Sequence, residues 1–178
     1  MKTALLAIVI PYYNIHFFEE TLKSVAAQSN KNFRLYIGND ASAHDPLPLI
    51  QKYFKEGEYL YYDYQENVGG KNLALQWERI LENVTEEWFQ ILGDDDMISE
   101  NFVEAFYNCL PSVNAKNISA IKFAHEWVDE ENKTLEVYDY EFDAINAVEF
   151  FIKKYRKHSV YKNFKIIVSL CLIYNMFC

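Results

Sequence analysis

Leu5-Leu6-Ala7-Ile8-Val9-Ile10-Pro11-Tyr12-Tyr13-Asn14 is the stretch on which the fold turns. Its first six residues form an unbroken apolar run of strand length without alternation. That is the pattern of a strand buried on both faces, as in a parallel sheet covered by helices. The run stops at Pro11 and no small-residue cleavage site follows, so a first core strand is expected here and not a signal peptide.

Outward from this strand, short apolar runs alternate with stretches of helical period. Phe18, Leu22, Val25 and Ala26 recur at helical spacing, and Phe33–Ile37 is the next strand expected. Leu47, Ile50 and Phe54 mark a short helix with Pro46 near its start. Tyr59–Tyr64 reads as a third strand. Leu73, Trp77, Ile80 and Leu81 outline an amphipathic helix. Trp88–Leu92 reads as a fourth strand, followed by a helix with Phe102, Val103, Phe106 and Leu110 on one side. Successive strand–helix units imply right-handed crossovers and an α/β fold with a mainly parallel sheet and helices on both faces. Beyond them the pattern changes. Ile118–His125 reads as a strand, Asp129–Lys133 as a turn, Leu135–Tyr138 as a returning strand, and Ala144–Lys157 as a last helix.

Composition narrows the function. The chain has 178 residues, 17% of them aromatic, which suits one domain with a packed core. Its 26 acidic and 17 basic residues give a net charge of −9, a surface that repels phosphate backbones, so no nucleic-acid partner is expected. An acidic protein that binds an anionic nucleotide is expected to place a divalent cation between them. Cys109, Cys171 and Cys178 form neither a disulfide framework nor a metal-ligand spacing, and a reducing, cytoplasmic setting is the default. The apolar stretch Ile166–Cys178 is shorter than the ~20 residues a membrane-spanning helix needs.

Ligands of open α/β sheets bind beyond the carboxyl ends of the strands. Those positions hold Pro11-Tyr12-Tyr13-Asn14, Asn39-Asp40-Ala41-Ser42, Asn67-Val68-Gly69-Gly70-Lys71-Asn72 and Gly93-Asp94-Asp95-Asp96. Singly each is an ordinary turn or cap, and three adjacent aspartates are usually a solvated turn. Converging at one edge, they suit a metal-bridged nucleoside diphosphate. Mn²⁺ or Mg²⁺ takes one or two protein carboxylates and fills its other positions with phosphate oxygens and water. Gly69 and Gly70 admit close backbone approach, and Lys71 is a point charge for phosphate.

The strings IVIPYYN, SVAAQSNKNFRLYIGNDAS, ENVGGKN and ILGDDD, in this order and spacing, resemble the large inverting family 2 of bacterial GT-A glycosyltransferases, from about Leu5 to about Lys133. The family's signatures are matched in register. Tyr13-Asn14 follows the first strand; Ser24, Val25 and Gln28 end a helix; Asp40 and Ser42 follow the second strand; Asn67 and Gly69 form a loop; the acidic motif follows the fourth strand. The resemblance implies a GT-A, Rossmann-like nucleotide-diphospho-sugar transferase fold, with residues 1–142 as the nucleotide-sugar-binding domain and 143–178 beginning the acceptor side. It implies that Pro11, Tyr12 and Asn14 lie under the base and ribose. Asp40 would bond the base, uracil by preference, with Asn67, Gly70 and Lys71 near the base and diphosphate. Asp94 would contact ribose or metal, and Asp95 and Asp96 the metal. Two positions depart from the family pattern, where aspartates stand in place of Asn39 and Gly93.

The implied activity is transfer of a sugar from a UDP-sugar to a saccharide or lipid-linked acceptor, with inversion, in surface polysaccharide or glycan synthesis. A carboxylate base deprotonates the acceptor in such enzymes. After Phe142 the chain offers only Asp143 and Glu149, each of which also reads as a helix start or solvated helix face. The chain is therefore expected to stop before, or diverge at, the base. A catalytically impaired nucleotide-sugar-binding fragment is the alternative. A nucleotidyltransferase would carry a Gly-rich basic loop in place of Pro11–Asn14. Lys153, Lys154, Arg156, Lys157, Lys162 and Lys165 form either a solvated face or a contact with anionic lipid at the inner face of the plasma membrane. The apolar tail, if bare, favours self-association into a homo-oligomer.

Overall fold

The computed structural model describes residues 4–116, 121–129 and 133–138. Strand β1 (Leu6–Tyr12) leads through helix α1 (Phe18–Ala26) to β2 (Arg34–Asp40). Helix α2 (Leu47–Tyr53) leads to β3 (Tyr59–Tyr64), helix α3 (Leu73–Leu81) to β4 (Trp88–Ile91), and helix α4 (Phe102–Ala115) follows. The four strands pair in parallel in the order β3-β2-β1-β4. This is the mainly parallel α/β sheet with helices on both faces that the sequence pattern predicts, and it agrees with the GT-A, Rossmann-like fold that the resemblance implies.

β1 runs through the middle, which accounts for its unbroken apolar sequence. Leu6, Ile8, Ile10 and Tyr12 face a large core with Phe18, Leu22 and Val25 of α1, Ile50 of α2, and Phe102, Val103 and Phe106 of α4. Ala7 and Val9 face the opposite side, with Tyr36 of β2 and Ile80 of α3. Each such side chain contributes roughly 1.5–3 kcal/mol on burial. One helix therefore covers one face, and three cover the other.

The seat of α3 is a missing side chain. A Cβ at Gly38 would stand 2.5 Å from Ile80 Cγ1 and 3.2 Å from Tyr64 Cε2. Gln76 fixes the helix by donating from Nε2 to the Gly38 carbonyl at 3.0 Å. The expected apolar stripe of α3 is only partly used. Ile80 is buried, Trp77 and Leu81 are half-buried, and Leu73 is 53% exposed. Polar Gln76 takes a buried position instead.

Past α4, β5 (His125–Val128) pairs antiparallel with β6 (Thr134–Tyr138), so the expected excursion is present. Its first strand starts later than Ile118–His125 suggested. Residues 121–124 form no strand, because Phe123 is drawn into the core and meets Phe102 edge-on at 5.2 Å between ring centres. Asp129 and Lys133 close the turn, with the Asp129 amide donating to the Lys133 carbonyl at 3.0 Å and the Lys133 amide to Asp129 Oδ1 at 2.8 Å. The expected helix at Ala144–Lys157, with Asp143 and Glu149, lies outside the described residues. Among the described residues no helix is long and apolar enough to cross a membrane.

Gly38→Ala should destabilise the chain by about 1–3 kcal/mol, the usual cost of overpacking a filled core. Urea unfolding of both proteins measures this. A loss below about 0.5 kcal/mol, within the range of surface substitutions, would mean that Ile80 moves aside and α3 is not seated by Gly38.

Candidate functional site at the carboxyl edge of the sheet

The chain builds outward from β1 to β2 and β3, then crosses back through α3 to place β4 on the other side of β1. Strand order reverses between β1 and β4, where sheets of this kind open a crevice for ligands. Asp94, just past β4, spans that point. Its Oδ2 accepts from the Tyr13 amide at 2.7 Å and the Asn14 amide at 2.6 Å. Thr21 Oγ1 of α1 donates to the Asp94 carbonyl at 3.1 Å. Burial holds the Asp94 carboxyl above its ordinary value, against the two amides that lower it.

The four loops are joined in series. Ser42 Oγ, after β2, donates to the Tyr13 carbonyl at 2.6 Å. Asp40, at the end of β2, accepts from the Val68 amide on Oδ1 at 2.9 Å and from the Gly69 amide on Oδ2 at 2.8 Å. The Gly70 amide donates to Asn67 Oδ1 at 2.8 Å. Asn14, Asp40, Asn67, Gly70, Lys71 and Asp94–Asp96 are thus brought to one edge, as expected. Lys71 is exposed and makes no ion pair among the described residues. Gly69 has no room for a side chain, since a Cβ there would lie 2.5 Å from Asp40 Oδ2.

At Gly93, where the resemblance implies an acidic residue, neighbouring side chains occupy the space a side chain would take. A Cβ at Gly93 would stand 2.7 Å from Asp96 Oδ2 and 2.9 Å from Asp95 Oδ1. Both carboxylates therefore fold over the glycine and approach each other. Burial first, and the Asp95 charge second, push the Asp96 carboxyl up to about 6. Two crowded carboxylates of this kind could hold a divalent cation that takes its other ligands from phosphate and water. Among the described residues, no group of three His, Cys, Asp or Glu side chains is arranged to hold a metal.

Asn39, the other departure, is explained by its neighbour. It pairs in register with Asp63 of β3. Its Nδ2 donates to Asp63 Oδ1 at 2.9 Å and to Tyr61 Oη at 3.1 Å, while its Oδ1 accepts from the Ser42 amide at 2.9 Å. An aspartate at position 39 would face Asp63 as a like charge. These side chains, with Asp45, line a recess of about 340 Å³. Burial is the main cause that pushes the Tyr61 hydroxyl up to about 12.

One expected contact needs correction. The Tyr12 side chain is fully buried, 4.5 Å from the Phe18 ring between centres, with its hydroxyl donating to the His44 carbonyl at 3.0 Å. It sits on the core side of β1 with Ile8 and Ile10, so its ring is no floor for a ligand. Tyr13, next along, is 54% exposed. Strand parity carries that signal, because alternate residues from a core isoleucine stay in the core. Arg79 was also unmarked by the sequence reading. It reaches Asp40 from α3, six residues beyond that helix's first residue, and no local pattern announces it.

A family model described as Glycosyl transferase family 2 matches residues 7–177. An uncharacterised glycosyltransferase of Rickettsia typhi is 30% identical over 132 residues, covering 74% of this chain and 39% of the relative. The chain thus spans about two fifths of that relative's length. Among solved structures, S. aureus TarS has a TM-score of 0.56 at 18% identity, covering 66% of this chain and 35% of that one. TarS in complex with UDP scores 0.55 at 20% identity over 61% and 32% of the two chains. Its complex with UDP-GlcNAc scores 0.56 at 20% identity over 66% and 34%.

The raised Asp96 carboxyl makes stability depend on pH. Its folded value of about 6 exceeds the ordinary 3.8, so its contribution is complete below about pH 4 and is lost as pH rises through 6. Thermal melts in metal-free buffer should show Asp96→Asn more stable than the parent above pH 6, with the difference shrinking toward pH 4. A constant difference across that range would contradict the burial of this charge.

Proposed function

This chain belongs to glycosyl transferase family 2, and on that footing we propose that it binds a uridine diphosphate sugar and passes the sugar, with inversion, to a saccharide or lipid-linked hydroxyl in surface polysaccharide or glycan synthesis. The observation that carries the reading is the folding of Asp95 and Asp96 over Gly93, beside the Asp94 clamp at the reversal of strand order. The TarS complexes with UDP and UDP-GlcNAc support the choice of uridine.

Asp95 and Asp96 are the residues that would hold Mn²⁺ or Mg²⁺. Such an ion supplies charge neutralisation to a departing diphosphate. The chain's own groups do the rest. Lys71 and the backbone at Gly70, on an exposed loop, take part of the phosphate charge. Pro11, Asn14 and the exposed Tyr13 ring lie under the ribose and base, with the Asp94 clamp fixing the amides of the last two. A carboxylate offers about four lone-pair positions. On Asp40 three are taken by Val68, Gly69 and Arg79. The one left on Oδ2 is suited to the N3–H of uracil, with Asn67 holding the neighbouring loop. We place the base that takes the acceptor proton outside the described residues. The setting is the cytoplasm, with peripheral contact at the inner face of the plasma membrane.

Calorimetry with UDP should show binding that needs Mn²⁺ or Mg²⁺ and drops at least tenfold in EDTA or in Asp95→Ala. Equal affinity with and without EDTA would reduce the carboxylates to a solvated turn. UDP should also outcompete ADP, because adenine presents an acceptor where uracil presents N3–H. Hydrogen bonds to a charged group contribute ~1.5–3 kcal/mol, so Asp40→Ala should erase most of a preference of that size. Transfer itself is tested by incubating the chain, with Mn²⁺, with a panel of UDP-sugars and saccharide or lipid-linked acceptors. Product from an ADP-sugar but from no UDP-sugar would overturn the assignment of uridine.

A further inference from the structure

Arg79 stands outside every sequence signature, yet it ties more of the β2–β3 end of the site together than any other side chain described. It projects from α3 with 19% of its side chain exposed. Its Nη2 pairs with Asp40 Oδ1, its Nη1 donates to the Glu66 carbonyl at 3.1 Å, and its Nε donates to Gln76 Oε1 at 2.5 Å. The guanidinium lies 3.8 Å from the centre of the Tyr64 ring, and the Tyr64 hydroxyl donates to the Arg79 carbonyl at 2.9 Å. Planar nitrogen donors and a stacking face are used together, which a lysine cannot reproduce.

The result is a loop held at two points from one residue. Glu66 is bonded directly, and Val68 and Gly69 are bonded through the carboxylate that Arg79 orients. Asp40 is 4% exposed, and Arg79 is the cation that pairs with it there. We propose that Arg79 is a positioning residue for base selection. It turns Asp40 so that Oδ1 faces inward and Oδ2 faces the Gly69 side, and it keeps residues 66–69 closed against that oxygen. It touches no nucleotide itself. This rests on the reading of Asp40 as the group that accepts from the base.

The test compares UDP and ADP binding to the 178-residue chain and to Arg79→Met and Arg79→Lys, by calorimetry with Mn²⁺, together with Mn²⁺ binding alone. Arg79→Met should weaken UDP binding by roughly tenfold to a hundredfold, the worth of a hydrogen bond to a charged group. It should bring the UDP-to-ADP ratio close to one and leave Mn²⁺ affinity unchanged. Arg79→Lys should fall between. A merely structural role would lower both nucleotides alike and preserve their ratio, and that result would overturn the proposal. Should Arg79→Met fail to fold, Arg79→Lys decides: an unchanged ratio overturns the proposal, and a reduced one supports it. If the parent chain itself binds UDP and ADP equally, the base-reading role of Asp40 fails first and this inference falls with it. Loss of selectivity confined to the Arg79 variants upholds both.

Discussion

One carboxylate oxygen, Asp94 Oδ2, receives two consecutive backbone amides from the far side of the strand reversal. The crevice depends on this contact. β4 is only four residues long and pairs with β1 through Leu6–Val9. Beyond Leu92, whose amide still donates to the Val9 carbonyl at 2.9 Å, the ladder no longer says where the chain goes. The Asp94 clamp continues the alignment past the last paired residues, and Thr21 from α1 braces it at the backbone. An aspartate triplet looks like three equivalent groups, but here Asp94 is mortar, Asp96 is half-buried and only Asp95 of the three is exposed.

The same contact organises charge. Asp94 is spent on amides, while Asp95 and Asp96 crowd over a glycine whose missing side chain leaves room for both. At the other end of the site the fold avoids a second crowded pair. Asn39 faces Asp63 as a donor, and Asp40 is answered by Arg79. In a chain with net charge −9, carboxylates are left uncompensated at one place and neutralised at the next. Both positions where the resemblance implies a further aspartate, 39 and 93, fall where it would meet another carboxylate.

Much of this was legible in the sequence because it follows from periodicity. The unbroken run of β1, the limits of β3 and the start of α2 at Pro46 were readable, as was the gathering of the polar strand ends at one edge. What escaped has identifiable causes. β1 and β2 run two or three residues further than their apolar stretches, because ladder bonds extend through Pro11-Tyr12 and Gly38-Asn39-Asp40 whatever the side chains are. The Tyr12 ring was expected beside the ligand because it sits in a family signature, whereas pleat parity sends it into the core. Leu73 was expected inside, but the first turn of α3 is exposed from Leu73 through Leu75, and Gln76 is buried for its bond to Gly38. Arg79 was invisible, since the partners that tie it to the site, Glu66 and Asp40, lie 13 and 39 residues away in sequence.

Helix α3 begins at the loop that Asp40 and Arg79 secure and ends at the turn that feeds β4. Its nine residues, at a rise of ~1.5 Å each, make a rod of about 13 Å. Gly38 and Ile80 pin that rod to the sheet, so it cannot slide. It therefore acts as a strut along the strands, carrying the chain from the carboxyl edge back to the amino edge before β4 returns it to the crevice. The separation between the base-side loop and the aspartates is set instead by strand order, since β3, β2, β1 and β4 lie side by side at the ~4.8 Å spacing of a sheet. Evolution can alter what each loop grips by point substitution, but changing the span between them would require inserting or removing a strand.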